Sequence, residues 1–591
     1  MNYPSFLNET DRYAEECDVQ QLRAIIHEIA RTTPEERRES FLSVLKHFSD
    51  VPEKEEPSVG LTEDLAEMKK RIVDAIDSIQ SIIDGERSLD SDYNEMWDDW
   101  YDEAEDEFLF SDPEHILDDI RSAMYLLHTC VDRELYQDGA DLAEILSALQ
   151  VNVIGEFDDY GGLDYSDLIH YGLLDLDDHG FVTEAAFLTC MGTAPEERAD
   201  RILDVLHNFS ATGITLQDIL QTGTEEINLS EFLPRWIDAL SRRRTGYDEK
   251  LLLEAQSMLQ DDELVLANAK RLAETHPLLY VTFFEDHRQD RDHDKMLRLG
   301  LDAMKEIPIS LSERSRVALQ TAEHALELHD HATAEECWTE AFRSDSTPVN
   351  YLRIRLNTEC WEDFAEDIRK VYKGMFGRAS SSSLGTGMQN LAYPVILFFE
   401  GEIAQVVRKY MNAGKGIGWS STFMKQGLAL LLLLLDRGNM DGTAMRIMQQ
   451  RAMEAVGFTS RTYRLGMKPD AAGNETEPET GEEIAAQKVQ DSAMFREVFM
   501  RWKEQCTQLT EAEEEVLLRK IDRWIALRVE AIMNANRRNY YGECAEYIAA
   551  LGEVLESRDK KCSRTGILQK YKAKYPRRRA FHAELKRFGL K

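Results

Sequence analysis

Along most of this chain apolar residues return every three or four positions, and stretches that alternate apolar with polar are scarce. That periodicity suits helices, each burying one stripe against its neighbours. Leu22, Ile25, Ile26 and Ile29 share a face in an opening helical segment over about 10–50, and Thr33-Pro34-Glu35-Glu36 reads as the capped start of a further helix. Leu65, Met68, Ile72, Ala75, Ile76 and Ile79 form another such stripe, predicting a helix from Thr62 to Asp84. The stretch 120–149 predicts an amphipathic helical hairpin broken near Gly139. From 246 to 460 the pattern is helix, short turn, helix. The expected fold is all-α, a helical repeat or α-solenoid.

At 591 residues the chain is long enough for several domains or one extended solenoid. The expected divisions are an N-terminal helical segment with its linker over 1–60 and an acidic helical domain over 61–245. A repeat domain over 246–460, a flexible linker over 461–489 and a basic helical domain over 490–591 complete the set. A short Gly/Ser-rich connection is expected over 374–390.

Charge sorts the possible partners. Asp and Glu total 110 against 69 Lys and Arg, a net charge of −41. So negative a chain repels phosphate backbones and anionic lipid, which makes nucleic acid an unlikely global partner. From Asp92 to Asp119 there are 13 acidic residues and no Lys or Arg, with Trp97, Trp100 and Tyr101 among them. Aromatic area beside carboxylates fits contact with a basic protein partner, and equally fits a buried core under a solvated face. The far end is opposite in sign. From Asp559 to Lys591, 12 Lys/Arg face two acidic residues. Lys572, Lys574, Arg577, Arg578 and Arg579, interleaved with Tyr571, Tyr575 and Phe581, are the one candidate patch for nucleic acid. The simpler account has this block docking on the chain's own acidic surface.

No residue constellation specifies chemistry. The eight cysteines lack CxxC spacing and read as buried thiols of a reducing compartment. Asp175, Asp177, His179 and Gly180 resemble the start of a calcium loop, but Ala186 stands where the bidentate carboxylate is needed. His324, His329 and His331 are spaced five and seven apart and do not share a helix face, so surface histidines at a helix end are expected. The glycines of 414–421 have the wrong order for a phosphate loop. No GxSxG elbow occurs. The expectation is no enzyme, no metal and no cofactor. The longest apolar run, Leu428 to Leu435, is far short of the roughly 20 residues a membrane span needs. With no signal-peptide pattern at the N-terminus, a cytoplasmic location is expected.

Ala322, Ala334, Trp338 and Ala341 fall where a tetratricopeptide unit packs its two helices, with Pro348 about two residues late for the closing proline. That pair lies within a wider similarity. Segments 331–356, 391–407 and 526–551, and the closing YKAKYPRRRAFHAELKRFGL, resemble the helical C-terminal region of bacterial SWIM zinc-finger proteins. The acidic DLDDHG of 175–180 is similar to an Asp-rich turn between their helices. The finger's CxC and CxH ligands are missing, so the resemblance implies the helical scaffold and neither the zinc nor a nucleic-acid role.

The function this reading favours is a non-enzymatic scaffold or adaptor that binds protein partners. The alternative is a proteolytically regulated effector or inhibitor, cut within 461–486 near Met467 and Lys468. Its layout is similar in outline to the helical substrates of caspase-like proteases in type III CRISPR defence. Nucleic-acid binding through the basic C-terminal block is the weaker alternative.

Overall fold

The computed structural model describes residues 65–94, 107–155, 157, 161–175, 177–223, 227–379, 389–419, 422–468, 481–506, 509–558 and 563–590. Among them are 26 α-helices and four short strands, so the all-α expectation holds for the bulk of the described residues. The chain divides into two compact units, residues 1–211 and 212–591. The expected break at 245/246 is thus displaced. The reason is local: Tyr247 donates its hydroxyl to the Ile214 carbonyl at 2.7 Å, and Glu254 accepts from the amides of Leu216 and Gln217 at 2.8 and 2.9 Å. Residues 212–245 are therefore bound to the helices that follow them.

The first unit opens with α1 (Leu65–Ile83), which buries Met68, Ile72, Ile79 and Ile82. Strands β1 (Ser88–Asn94) and β2 (Glu107–Ser111) follow, then helices α2 (Ile116–Asp132) and α3 (Tyr136–Ser147). Strands β3 (Gln150–Gly155) and β4 (Leu163–Asp164) precede α4 (Tyr165–His170), α5 (Asp178–Gly192) and α6 (Arg198–Asn208). The strands form a sheet of order β2-β1-β3-β4, antiparallel except for the parallel β1–β3 pair, in which Leu89 lies opposite Val153. This sheet was not anticipated. β1 reads SLDSDYN, without apolar alternation, and takes its register from a strand some 60 residues away. The predicted α2–α3 hairpin is present, but it turns at Glu134, which adopts φ 56°. Gly139 lies inside α3 instead, where a Cβ would come within 2.9 Å of both Leu188 and Cys130. It permits close helix packing and breaks nothing.

The second unit begins with α7 (Leu216–Gln221), α8 (Leu229–Ser241), α9 (Gly246–Ser257), α10 (Asp262–Arg271) and α11 (Leu278–Asp286). The repeat-like run is α12 (His293–Glu306), α13 (Glu313–Glu327), α14 (His331–Ser344), α15 (Pro348–Asn357) and α16 (Trp361–Ala379). Here α12 packs on α13, α13 on α14 and α14 on α15. Ala322, Ala334, Trp338 and Ala341 are all buried, as the tetratricopeptide-like spacing requires. Pro348 is the first residue of α15, and Thr347 caps that helix.

Helices α17 (Gln389–Phe399), α18 (Ile403–Lys409), α19 (Met424–Leu435), α20 (Thr443–Val456) and α21 (Ser460–Arg464) come next. The chain closes with α22 (Gly481–Cys506), α23 (Glu511–Asn534), α24 (Tyr541–Ser557), α25 (Arg564–Lys574) and α26 (Arg579–Lys586). Every residue of the Leu428–Leu435 run is buried in α19, so that run is a core helix. No helix among the described residues is long and apolar enough to cross a membrane. The expected linker over 461–489 is shorter than its polarity suggested. It is helical in α21, packed through Gly466 and helical again from Gly481, and residues 469–480 lie outside the described residues. The same applies to the 374–390 connection, of which α16 and α17 claim both ends.

Candidate functional site

The residues singled out from the sequence meet different fates. Trp97, Trp100 and Tyr101, like the helices expected over 10–50, lie outside the described residues. In the C-terminal block, Arg578 is half-buried and donates to the Met533 carbonyl at 2.7 Å and to the Asn536 side chain, which satisfies the end of α23. Lys574 pairs with Glu530 at 3.4 Å, and Lys572 is also partly covered. Arg577 and Arg579 are exposed. Tyr571 and Phe581, expected as stacking platforms, are buried, with Phe581 packed on Tyr541 and Tyr575 at ring separations of 5.7 and 6.2 Å. Burial removes two of the three faces that nucleobases would need.

His324 corrects the expectation of surface histidines. It is buried, and its Nδ1 lies 3.0 Å from Nδ1 of His293. His329 adopts φ 60° at the turn, and Asp330 caps α14 through the Thr333 amide. The glycine loop at 414–418 is fixed from behind. Arg528, buried in α23, donates to the Gly416 carbonyl at 2.9 Å and lies over the Trp419 ring.

The most developed polar site is built on α13, α14 and α15, and it holds the segment 459–468 across them. Arg353 of α15 is wholly buried. It donates to the carbonyls of Thr462 and Tyr463, and to the side chain of Asn350 on its own helix. Burial pushes its pKa down to about 10. Trp338 of α14 donates its indole N–H to the Gly466 carbonyl at 2.6 Å. Glu323 of α13 accepts the Gly466 amide at 2.9 Å and a bidentate contact from Arg288 at 3.0 and 2.9 Å. Burial raises the pKa of Glu323 despite these cations. Gly466 has φ 81°, and a Cβ there would meet Leu319 at 2.8 Å. Beyond it, the Met467 amide donates to the Arg464 carbonyl, and exposed Lys468 lies 3.8 Å from Glu327. Met467 and Lys468, near which the alternative reading placed a cut, therefore follow directly on a buried anchor.

None of these residues was singled out for this role from the sequence. Little in the sequence signals it: α15 also carries Asn350, Arg355 and Asn357, and only its burial from Pro348 to Ile354 leaves Arg353 no exposed face.

The first unit carries a cavity of ≈ 420 Å³ beside α2 and the start of α5, lined by Arg121, His128, Asp175, Asp177 and Glu184 among others. His128 meets Glu184 at 2.7 Å and Asp132 at 3.9 Å. Partial burial works against the imidazolium, but Glu184 outweighs it and raises the His128 pKa. Among the described residues no group of three His, Cys, Asp or Glu is placed to hold a metal ion. A second cavity, ≈ 580 Å³ in the second unit, is lined by Arg464, Met494, Arg496 and Met500, with Arg496 paired to Asp441.

Charge separates the two units. Residues 1–211 contain 52 Asp/Glu and 15 Lys/Arg, a net −37, whereas residues 212–591 contain 58 and 54, a net −4. Within the first unit Lys69, Arg87, Arg121 and Arg201 pair with Asp138, Asp119, Asp118 and Glu144. Four of the eight Lys and Arg among its described residues are thus paired internally. No protein-family model matches the chain, and no curated protein matches it.

Proposed function

We propose that this protein is a non-enzymatic helical scaffold or adaptor, and that its N-terminal unit engages a basic protein partner. The observation that carries this reading is the charge partition: nearly the whole net charge of −41 belongs to the first 211 residues. So concentrated a charge of one sign attracts a surface of the opposite sign and sets encounter rate and orientation more than final affinity. Neighbouring helices stacked as in α12–α15 supply extended surface, which suits an organiser of partners. The scaffold implied by the SWIM resemblance is of the same kind.

The test is affinity capture on the full-length protein from its source cell, followed by cross-linking and mass spectrometry. The expected result is a partner with a basic surface, cross-linked to residues 1–211, whose retention falls steeply from about 0.05 to about 0.5 M NaCl. Cross-links confined to 212–591, or retention indifferent to salt, would overturn the reading.

A further inference from the structure

We propose that residues 459–468 are an internal peptide latch seated on α13–α15, and that the site they cover accepts from a partner a short peptide that ends a helical turn at a glycine, as α21 does before Gly466. This rests on the reading of the chain as a protein-binding scaffold and names the class of ligand it takes.

The covered site addresses main chain. Arg353 reaches two carbonyls, Glu323 takes one amide and Trp338 reaches one carbonyl, all within the five residues 462–466. Each of the three side chains is nine-tenths or more buried. Main-chain hydrogen bonds supply affinity with little dependence on ligand sequence, and pockets then supply selectivity. Two such pockets are present. The Tyr463 ring is buried 5.4 Å from Phe458, with its hydroxyl accepting from Asn357 at 3.2 Å. At the other end the packing of Gly466 against Leu319 admits no side chain, and its left-handed backbone demands glycine.

The site also tolerates being emptied. Without the segment, Glu323 keeps its bidentate contact to Arg288, and Arg353 keeps one bond, from Nη1 to the Asn350 side chain. The indole N–H of Trp338 and the Nε and Nη2 of Arg353 would lose their carbonyls, leaving three donors for water or an incoming main chain to satisfy in the vacated site. The upstream end of the latch is tied elsewhere, since Ser460 donates its amide to Asp491 of α22 at 2.8 Å and accepts from Gln487 at 2.8 Å. Release at Gly466 therefore leaves the segment attached at Ser460.

The experiment uses the 591-residue chain and a fluorescent synthetic peptide spanning residues 459–468. Gly466→Ala unseats the latch in the chain and leaves Glu323, Trp338 and Arg353 in place. Removing a competing closed state should tighten binding of the peptide about tenfold or more over the unaltered protein. The same peptide with alanine for glycine should bind weakly to both. A folded Gly466→Ala protein with unchanged peptide affinity would overturn the proposal, as would equal binding of the alanine peptide. Should that variant fail to fold, saturating the unaltered protein with peptide gives the second readout. Amide exchange over 460–466 must then accelerate, and unchanged exchange would overturn the latch. Neither readout depends on a cellular partner, so failure here is distinguishable from failure of the scaffold reading.

Discussion

Arg288 and Glu323, on segments 35 residues apart, meet through two parallel hydrogen bonds of 3.0 and 2.9 Å, with the arginine partly in solvent and the carboxylate buried. The arrangement makes Glu323 the hinge of a network, because its Oε1 also holds the Gly466 amide. Glu323→Ala strands that buried amide, while Arg288 can turn to water, and should cost about 2 kcal/mol of unfolding free energy. Glu323→Gln keeps an acceptor for Gly466 and should cost about 1 kcal/mol. Urea unfolding of both variants checks the order, and equal losses would refute the assignment.

His324 gives the second unit a pH dependence with a definite sign. Burial and the facing His293 push its pKa down to about 4, against the partial pull of Asp290 and Glu327. Between about pH 6.5 and 4 the unfolded chain takes up a proton that the folded chain refuses. Stability should therefore fall as pH drops through that window and level off below it, by about 3 kcal/mol from this residue. His324→Gln should flatten the profile over that range when Tm is followed against pH.

Arg528 should not be replaceable by lysine. Its fork contacts Glu543 through Nε and Nη2 at 3.0 and 2.8 Å while Nη1 holds the Gly416 carbonyl, and its plane lies over Trp419 and Tyr540. One ammonium cannot serve all of these directions. Arg528→Lys is expected to cost about 2 kcal/mol despite the retained charge. Amide exchange in the 413–419 loop should rise selectively, because the loop loses its anchor.

Salt should separate the two units. Self-repulsion within the −37 unit is screened as ionic strength rises, whereas the second unit is nearly neutral. Raising NaCl from about 0.05 to about 0.5 M should slow amide exchange over 65–211 and leave 212–591 much less changed. A uniform response across both would contradict the partition.

What the sequence disclosed and withheld follows from the range of the interactions. Local periodicity placed α1 and the face carrying Met68, Ile72 and Ile79, and the small residues of α13 and α14 marked their close packing. The four-stranded sheet escaped because β1 pairs across 60 residues and has a polar sequence. His324 looked superficial because its cover, His293, comes from another helix. The segment after α21 looked like a tether because its composition is polar, yet its backbone is held by side chains more than 100 residues earlier. Its role as a latch could not have been read from spacing. Trp97, Trp100 and Tyr101 lie outside the described residues.

A helix such as α19, with water on none of its sides between Leu428 and Leu435, leaves its unit no partial version of itself. A chain cut short before the helices that cover it, α23 and α24, would present that greasy rod to water as an aggregation-prone surface.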